Sequence, residues 1–252
     1  MPIKTALVTG GAQRIGRALT LALAADGWRI AIHHNRSAEA AYQLANEIKD
    51  AGGDAVAVAC DLSREDDVLT LVPRAIDQLG PLTLLVNNAS VFEPDQALTV
   101  TRASWQRHLE TNLRAPFVLT QNFAAQLPED AEGAVVNVID QRVWNLTPHF
   151  VSYTLSKAGL WTLTQTLALA LAPRIRVNAI GPGPTLPSIH QTAEQFQRQC
   201  EMMPLQRGTS PEEIVAALRF IVAARSMTGQ LIALDGGQHL CWAPPGEETA
   251  EE

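Results

Sequence analysis

Residues 4–33 read KTALVTGGAQRIGRALTLALAADGWRIAIH, an apolar run that passes through a glycine-rich turn into a helical pattern and then into a second apolar run. The runs at 4–9 and 28–33 are rich in Val, Ile and Ala, whereas residues 15–27 repeat apolar side chains at helical spacing. Continuous apolar strands have both faces covered, which is typical of a parallel sheet. The stretch therefore predicts a strand–helix–strand unit of an α/β fold.

The same alternation continues along the chain. Further strand-like runs lie at 55–60, 82–88, 134–139, 175–180 and 231–237. No linker or repeat divides them, so we predict one doubly wound, Rossmann-like domain over residues 1–243 with a mostly parallel seven-stranded sheet. Residues 181–210 break the rhythm before the last helix, and we expect this insertion to be a substrate loop. An ordinary surface excursion is the alternative.

Composition bounds the class of protein. A chain of 252 residues, 46% of them hydrophobic, can bury a full core. The net charge of −7 argues against a nucleic-acid partner, which needs a basic patch to displace counterions. Part of that charge lies in EETAEE (247–252), within an acidic stretch at 244–252 that we expect to be a disordered tail.

The cysteines and the first residues bear on the compartment. Cys60, Cys200 and Cys241 are too few and too scattered for a disulfide framework or a Cys-rich metal site. The start, MPIKTALVTG, enters a strand pattern without a signal peptide, and no apolar run approaches a membrane-spanning length. We expect a soluble, cytoplasmic protein that does not act at a membrane.

The turn TGGAQRIG (9–16) and the end of the second strand, HHNRSA (33–38), suit a dinucleotide. Glycines let backbone N–H groups and a helix N-terminus approach a pyrophosphate, although the spacing departs from the generic fingerprint. The strand end carries no acid for a ribose 2′-hydroxyl. Arg36 and Ser37 suit a 2′-phosphate instead, which favours NADPH over NADH.

Two short patterns are ambiguous when taken alone. The neighbouring His33 and His34 could suggest a metal, but adjacent strand residues point to opposite faces and no Cys or carboxylate cluster completes a site, so we expect none. Tyr153 and Lys157 share a helix face, with Asp140 thirteen residues upstream of the tyrosine. Many solvated helix faces carry such a pair.

Together, several motifs resemble the short-chain dehydrogenase/reductase superfamily over nearly the whole chain. They are TGGAQRIG (9–16), CDL (60–62), NNAS (87–90), ETNLRAPF around Asn112, YTLSK (153–157), VNAIGPGP (177–184) and LDGG (234–237). Each is weak, but their order and spacing are specific. The resemblance implies a nicotinamide-dependent oxidoreductase acting on a small molecule.

The resemblance also implies residue roles. Tyr153 would be the proton donor, and Lys157 would bind the nicotinamide ribose and lower the tyrosine pKa from its usual value of about 10. Asn112 would hold a water that feeds protons to Lys157. Asp61 and Leu62 would bind adenine. The full set of implied NADPH contacts is Gly10, Arg14, Ile15, Gly16, His33, Arg36, Ser37, Asp61, Leu62, Asn88, Ala89, Ser90, Tyr153, Lys157, Pro182 and Gly183.

Asp140 departs from the superfamily pattern, in which this position is usually a Ser whose hydroxyl binds a carbonyl oxygen. An ionised carboxylate would repel the alkoxide that forms when a ketone accepts hydride. It suits a substrate with N–H donors, or one that takes up a proton at a ring nitrogen. If protonated, Asp140 could relay a proton with Tyr153. A structural carboxylate bonded to backbone is the alternative.

Within the superfamily the chain is similar to the pteridine reductases. The shared features are Arg14 in the glycine turn, His33, Arg36 and Ser37 at the strand end, Ser90 and Phe92 after NNA, and the set of Asp140, Tyr153 and Lys157. The likeness implies a pterin stacked between the nicotinamide and Phe92. Its implied substrate contacts are Arg14, Ser90, Phe92, Asp140 and Tyr153.

Three functions stay open on the sequence: an NADPH-dependent dihydropteridine reductase, a carbonyl reductase of an acyl, sugar or alicyclic ketone, and a catalytically silent NADPH sensor. The stretch 157–173, KAGLWTLTQTLALALAP, is apolar around most of a helix. A second apolar stripe predicts a contact between copies, in a homodimer or homotetramer. A more deeply buried helix in a monomer is the alternative.

Overall fold

A computed structural model describes residues 4–188 and 191–241. Within these ranges the chain forms a seven-stranded sheet whose neighbours all pair in parallel, in the order β3-β2-β1-β4-β5-β6-β7. The strands are Thr5–Val8 (β1), Arg29–His34 (β2), Ala55–Ala59 (β3), Leu84–Asn87 (β4), Gly133–Val138 (β5), Ile175–Pro182 (β6) and Leu231–Leu234 (β7). The predicted doubly wound, parallel, seven-stranded sheet is confirmed.

Helices follow the strands. They are Arg14–Ala25 (α1), Ala38–Asp50 (α2), Glu65–Leu79 (α3), Arg102–Leu109 (α4), Ala115–Gln126 (α5), Val151–Ala170 (α6), Ala193–Glu201 (α7) and Pro211–Ala223 (α8). A short π-helix, Glu110–Arg114, joins α4 to α5, and single 3₁₀ turns lie at Gln141–Val143 and Gln238–Leu240. Reciprocal capping hydrogen bonds start α7 and α8, between Thr192 and Gln195 and between Ser210 and Glu213.

The sheet separates two apolar layers because successive strand side chains point to opposite faces. In β1, Ala6 and Val8 pack with α1, α2 and α8, whereas Leu7 between them packs with α3, α5 and α6. All three side chains are fully buried. The continuous apolar runs of the sequence therefore reflect burial on both faces, as predicted.

Parallel pairing places the carboxyl end of every strand at one edge of the sheet. The strand order reverses between β1 and β4, and a crevice forms at such a switch point. The glycine turn after β1 and NNAS after β4 flank it. The predicted insertion at 181–210 begins inside β6, which runs to Pro182, and contains α7.

Two further expectations concern the ends and the surface. The tail prediction for 244–252 lies outside the described residues. In the described part of the chain, no helix is both long enough and apolar enough to cross a membrane.

Candidate active site

The glycine turn after β1 is fastened across the switch point to the end of β4. Gly10 has a φ of 60°, which favours glycine. Asn88 Nδ2 donates to the carbonyl oxygens of Thr9 (2.9 Å) and Gly10 (3.3 Å), and the Ala89 N–H donates to Thr9 Oγ1 (3.0 Å). The motifs at 9–16 and 87–90 thus form one rigid unit.

His33 holds the same turn from β2. The Gly10 N–H donates to His33 Nδ1 (3.0 Å), so the neutral ring carries its proton on Nε2, which lies 3.0 Å from the Cys60 carbonyl oxygen. The ring is 2% exposed, and this burial lowers the pKa of His33 to about 4. Because both ring nitrogens bond within the protein, we propose that His33 shapes the turn, in place of the direct NADPH contact predicted from the motif.

Gly16 lies in the first turn of α1 and has no room for a side chain. A Cβ there would stand 2.7 Å from Asn88 Nδ2 and closer still to the Gly10 carbonyl oxygen, which is backbone and cannot move aside cheaply. Gly16→Ala is expected to destabilise the fold by about 1–3 kcal/mol and to weaken NADPH binding. Thermal unfolding and NADPH titration measure the two effects; an unchanged Tm and Kd would contradict the close approach.

The ends of β2 and β3 carry the residues predicted at the adenine end. Arg36 is exposed, and Ser37 stands before α2 with a hydroxyl that accepts no capping hydrogen bond from the helix. Hydrogen bonds from the Ser63 hydroxyl and N–H hold the pKa of Asp61 below its usual range, and the charge of Arg36 adds to this. The Leu62 side chain is buried in the core, so we propose its backbone as the contact.

A cavity of about 250 Å³ lies at this edge of the sheet, beside the switch point. Of the predicted site residues, those that line it are Arg14, Ile15, Asn88, Ser90, Phe92, Asp140, Tyr153, Lys157, Pro182 and Gly183. Residues of the insertion, among them Pro184, Leu186, Phe196 and Gln199, line it as well. The fold therefore gathers side chains from motifs far apart in sequence into one space.

Asp140 and Tyr153 are in direct contact. The Tyr153 hydroxyl donates to Asp140 Oδ2 (2.8 Å), while Asp140 Oδ1 accepts the Arg142 N–H (2.8 Å) and caps the turn after β5. Tyr153 is 6% exposed. The sequence left open whether Asp140 takes part in proton transfer or only bonds to the backbone. Both roles are compatible with the structure, because each carboxylate oxygen has its own partner.

Lys157 lies beneath the phenol. Its Nζ donates to the Val138 carbonyl oxygen (2.9 Å) and lies 5.8 Å from the centre of the Tyr153 ring. The side chain is buried, and desolvation lowers the pKa of Lys157 to about 8, partly opposed by the charge of Asp140. Near neutral pH the amine is thus a cation that can release a proton on slight alkalinisation.

Asn112 stands in the short π-helix between α4 and α5, a distortion that is frequent at functional sites. Its Nδ2 donates to the Val91 carbonyl oxygen (2.9 Å) and to Ser156 Oγ (3.0 Å), and its Oδ1 accepts from the Val91 N–H (2.8 Å) and from Ser90 Oγ (3.3 Å). The amide thereby joins the segment after β4 to α6. The water-holding role implied by the resemblance stays a prediction.

Phe92 forms the aromatic part of the cavity wall. Its ring is stacked on Phe150, with centroids 4.4 Å apart and planes at 9°, and meets the edge of Tyr153 at 4.8 Å. Phe150 precedes α6 in a left-handed conformation, φ 56°. A wall of this kind suits a flat ring system.

Arg14 connects the glycine turn to the insertion. Its Nη2 donates to the carbonyl oxygens of Pro187 (2.9 Å) and Leu186 (3.3 Å), and its backbone has a φ of 51°. The sequence predicted phosphate and substrate contacts for Arg14. The structure adds a tie to the loop, and the ligand contacts remain a proposal.

Some lining residues were missed from the sequence. Gln141 and Arg142 follow Asp140, and Gln238 follows LDGG. They could have been found by the rule that located the motifs, since each lies within four residues of the carboxyl end of a parallel strand. Residues 4–188 and 191–241 contain no group of three or more His, Cys, Asp or Glu side chains placed to hold a metal ion.

The chain is similar to known proteins in both sequence and structure. The family model for short chain dehydrogenases matches residues 4–198. A 3-oxoacyl-[acyl-carrier-protein] reductase of Synechocystis sp. is 32% identical, over 93% of this chain and 96% of its own length.

Solved structures give higher similarity. FolM alternative dihydrofolate reductase 1 from Brucella suis, in complex with NADP, is 53% identical with a TM-score of 0.93, over 96% of this chain and 97% of that one. A short chain dehydrogenase from Burkholderia cenocepacia, also in complex with NADP, is 33% identical with a TM-score of 0.87, over 94% and 98% of the two chains.

Proposed function

Because the chain belongs to the short-chain dehydrogenase/reductase family, we propose that it reduces a dihydropteridine to the tetrahydro form with NADPH. The coarser activity, that of an NADP-dependent oxidoreductase, follows from the family and from the NADP complexes to which the chain is similar. The FolM proteins of Brucella support the finer one, since they share about half of the sequence.

The residues present fit NADPH. The turn at 9–16 offers backbone N–H groups with no side chain at Gly16, and the end of β2 offers Arg36 and Ser37 where an acid would have selected NADH. Pro182 and Gly183 line the cavity beside Tyr153 and Lys157. When bound, NADPH supplies the hydride.

The contact between Tyr153 and Asp140 is the observation that favours a pteridine over a ketone as the substrate. The phenol proton is directed to a carboxylate, and no hydroxyl stands at position 140 to bind a carbonyl oxygen. In the proposed reaction a ring C=N bond takes hydride at carbon and a proton at nitrogen. Tyr153 delivers the proton, Asp140 orients its hydroxyl or accepts a substrate N–H, and Lys157 restores the proton on Tyr153 from solvent.

A carbonyl reductase is the second candidate. Its support is the similarity to 3-oxoacyl-[acyl-carrier-protein] reductases, at 30–32% identity. The intact Tyr153 and Lys157 would serve that reaction equally well. Asp140 is the residue that separates the two candidates.

Asp140→Ser tests the choice directly. For pteridine reduction we expect it to lower kcat/KM by about 10²-fold, because the carboxylate is lost, whereas a carbonyl reductase would keep or gain activity. NADPH consumption is followed with dihydrobiopterin, dihydromonapterin, a 3-oxoacyl thioester and other ketones. Asp140→Asn is the control that keeps the shape and removes the charge. Turnover of a ketone with none of either pterin would refute the proposal.

We further propose a homo-oligomer, a dimer or a tetramer, built on α6. Leu155 is 46% and Leu169 84% exposed on this helix, although its opposite side is buried against the sheet. Exposed leucines on a helix with a buried opposite side suit a symmetric contact with a second copy. The mass from light scattering checks this, and a monomer at micromolar concentration would contradict it.

A further inference from the structure

A buried chain of hydrogen bonds runs beside the cavity, formed by residues with no role in the proposed chemistry. The backbone N–H of Glu93 donates to His108 Nε2 (3.1 Å), and His108 Nδ1 lies 2.7 Å from Ser152 Oγ. The Ser152 hydroxyl in turn donates to the Asp95 carboxylate, which also accepts the Ser152 N–H (3.2 Å). His108 and Ser152 are fully buried, and Asp95 is 6% exposed.

The donor and the acceptor of each of these hydrogen bonds follow from the bond between Glu93 and His108. Because His108 Nε2 accepts from a backbone N–H, a neutral ring must carry its proton on Nδ1. That N–H donates to Ser152 Oγ, which leaves the serine hydroxyl to donate to Asp95. One arrangement therefore satisfies all the groups.

These hydrogen bonds connect three segments of the protein that surround the cavity. Glu93 and Asp95 lie in the segment after β4, His108 lies near the end of α4, and Ser152 lies in the first turn of α6. Phe92 directly precedes Glu93, and Tyr153 directly follows Ser152. The His108 ring also meets the Tyr153 ring edge-on, with centroids 6.0 Å apart.

We propose that neutral His108 is a positioning residue, which fixes Phe92 and Tyr153 relative to each other by binding the Glu93 N–H on one side and Ser152 on the other. The inference rests on the proposed function only in that Phe92 and Tyr153 are taken to contact the substrate. A second proton on the ring would fall on Nε2, facing the Glu93 N–H, and would break that link. One of the ties between the Phe92 segment and α4 is then lost, while the ion pair of Glu93 with Arg107 remains.

The charges around His108 act in both directions. Burial is the largest influence and lowers the pKa of His108, and Arg107 acts in the same sense, while Asp95, Glu93 and a hydrogen bond with the Ser104 backbone oppose them. The Glu93 carboxylate is itself paired with Arg107 (2.6 Å). The neutral form is therefore kept at neutral pH, and the link to Glu93 is lost only on acidification below the usual histidine range.

Two variants separate the two links. His108→Gln can keep an acceptor for Glu93 but loses the donor to Ser152, and His108→Asn does the reverse. We expect the KM of the wild-type enzyme to rise on acidification. Each variant is expected to raise KM for the accepted substrate by about tenfold, with a smaller change in kcat, and to remove that expected pH dependence. His149→Gln, the same change at an exposed histidine, should keep both the KM and the pH profile.

A spectroscopic readout tests the geometry without turnover. Nitrogen NMR of ¹⁵N-histidine-labelled protein at neutral pH should show His108 neutral and protonated on Nδ1. A proton on Nε2, or folded variants with an unchanged KM and pH profile, would overturn the inference. If the wild type accepts a ketone and no pterin, the proposed function fails, and the same kinetic comparison is then made with the ketone. If the variants do not fold, the NMR result decides.

Discussion

Tyr153→Phe is expected to lower kcat by about 10²- to 10⁴-fold, the range for removal of a positioned proton donor. The substitution removes one oxygen atom, the hydroxyl that donates to Asp140 at 2.8 Å and lines the cavity. The ring keeps its edge contact with Phe92, so the fold and the NADPH Kd should be preserved. Steady-state NADPH consumption measures the first quantity, and fluorescence titration with NADPH measures the second.

Tyr42→Phe is the matched control, because it removes the same hydroxyl from a side chain that is 58% exposed on α2. Its activity should equal that of the wild type. If Tyr153→Phe kept most of the activity, the proton would have to come from another group, and Asp140 would be the next candidate.

Lys157→Met should have opposite effects on activity and stability. Loss of the cation beneath the phenol is expected to lower kcat/KM by about 10²-fold or more. The folded pKa of about 8, against 10.5 for an unburied amine, means that holding Lys157 charged costs on the order of 3 kcal/mol below pH 8. Methionine avoids that cost, so the variant should unfold at a higher temperature at pH 7.

The same shift predicts two pH dependences. The folded protein loses the Lys157 proton as pH rises through about 8, so wild-type kcat/KM should fall above that value. Between pH 8 and 10.5 the unfolded chain binds a proton that the folded chain does not, so this group adds stability as pH rises. Lys49→Met, at an exposed lysine of α2, is the control. A variant of Lys157 that is less stable and fully active would contradict both expectations.

The fold could be predicted because its signal is local. Each strand is a short apolar run whose burial on both faces is visible in its own residues, and the parallel order places the strand ends, with their motifs, at one edge. The predicted strand ends differ from the structure by at most three residues. The largest difference is in β7, which is predicted to run to 237 and ends at Leu234, and β6 continues two residues past 175–180 to Pro182.

The parts of the site that escaped prediction depend on contacts between distant residues. His108 and Ser152 are 44 positions apart, and Arg14 reaches a loop more than 170 positions away. Neither pairing leaves a periodic trace in the sequence. The HHNRSA motif pointed to the right region, but the role that we propose for His33 rests on its ring bonds to Gly10 and Cys60, and only a three-dimensional structure reveals such bonds.

The two walls of the cavity have different origins. The first wall has Tyr153 and Lys157 on α6 and Asp140 just after β5, beside the buried core. The second wall comes from residues 184–188 and from α7, which lie outside the sheet. Packing against the core constrains the first wall, whereas the second wall belongs to an insertion that the sheet does not constrain. Proteins built on this scaffold can therefore keep one reaction and differ in the substrates that they accept. An exchange of residues 184–201 between relatives should transfer substrate preference and leave the chemistry in place.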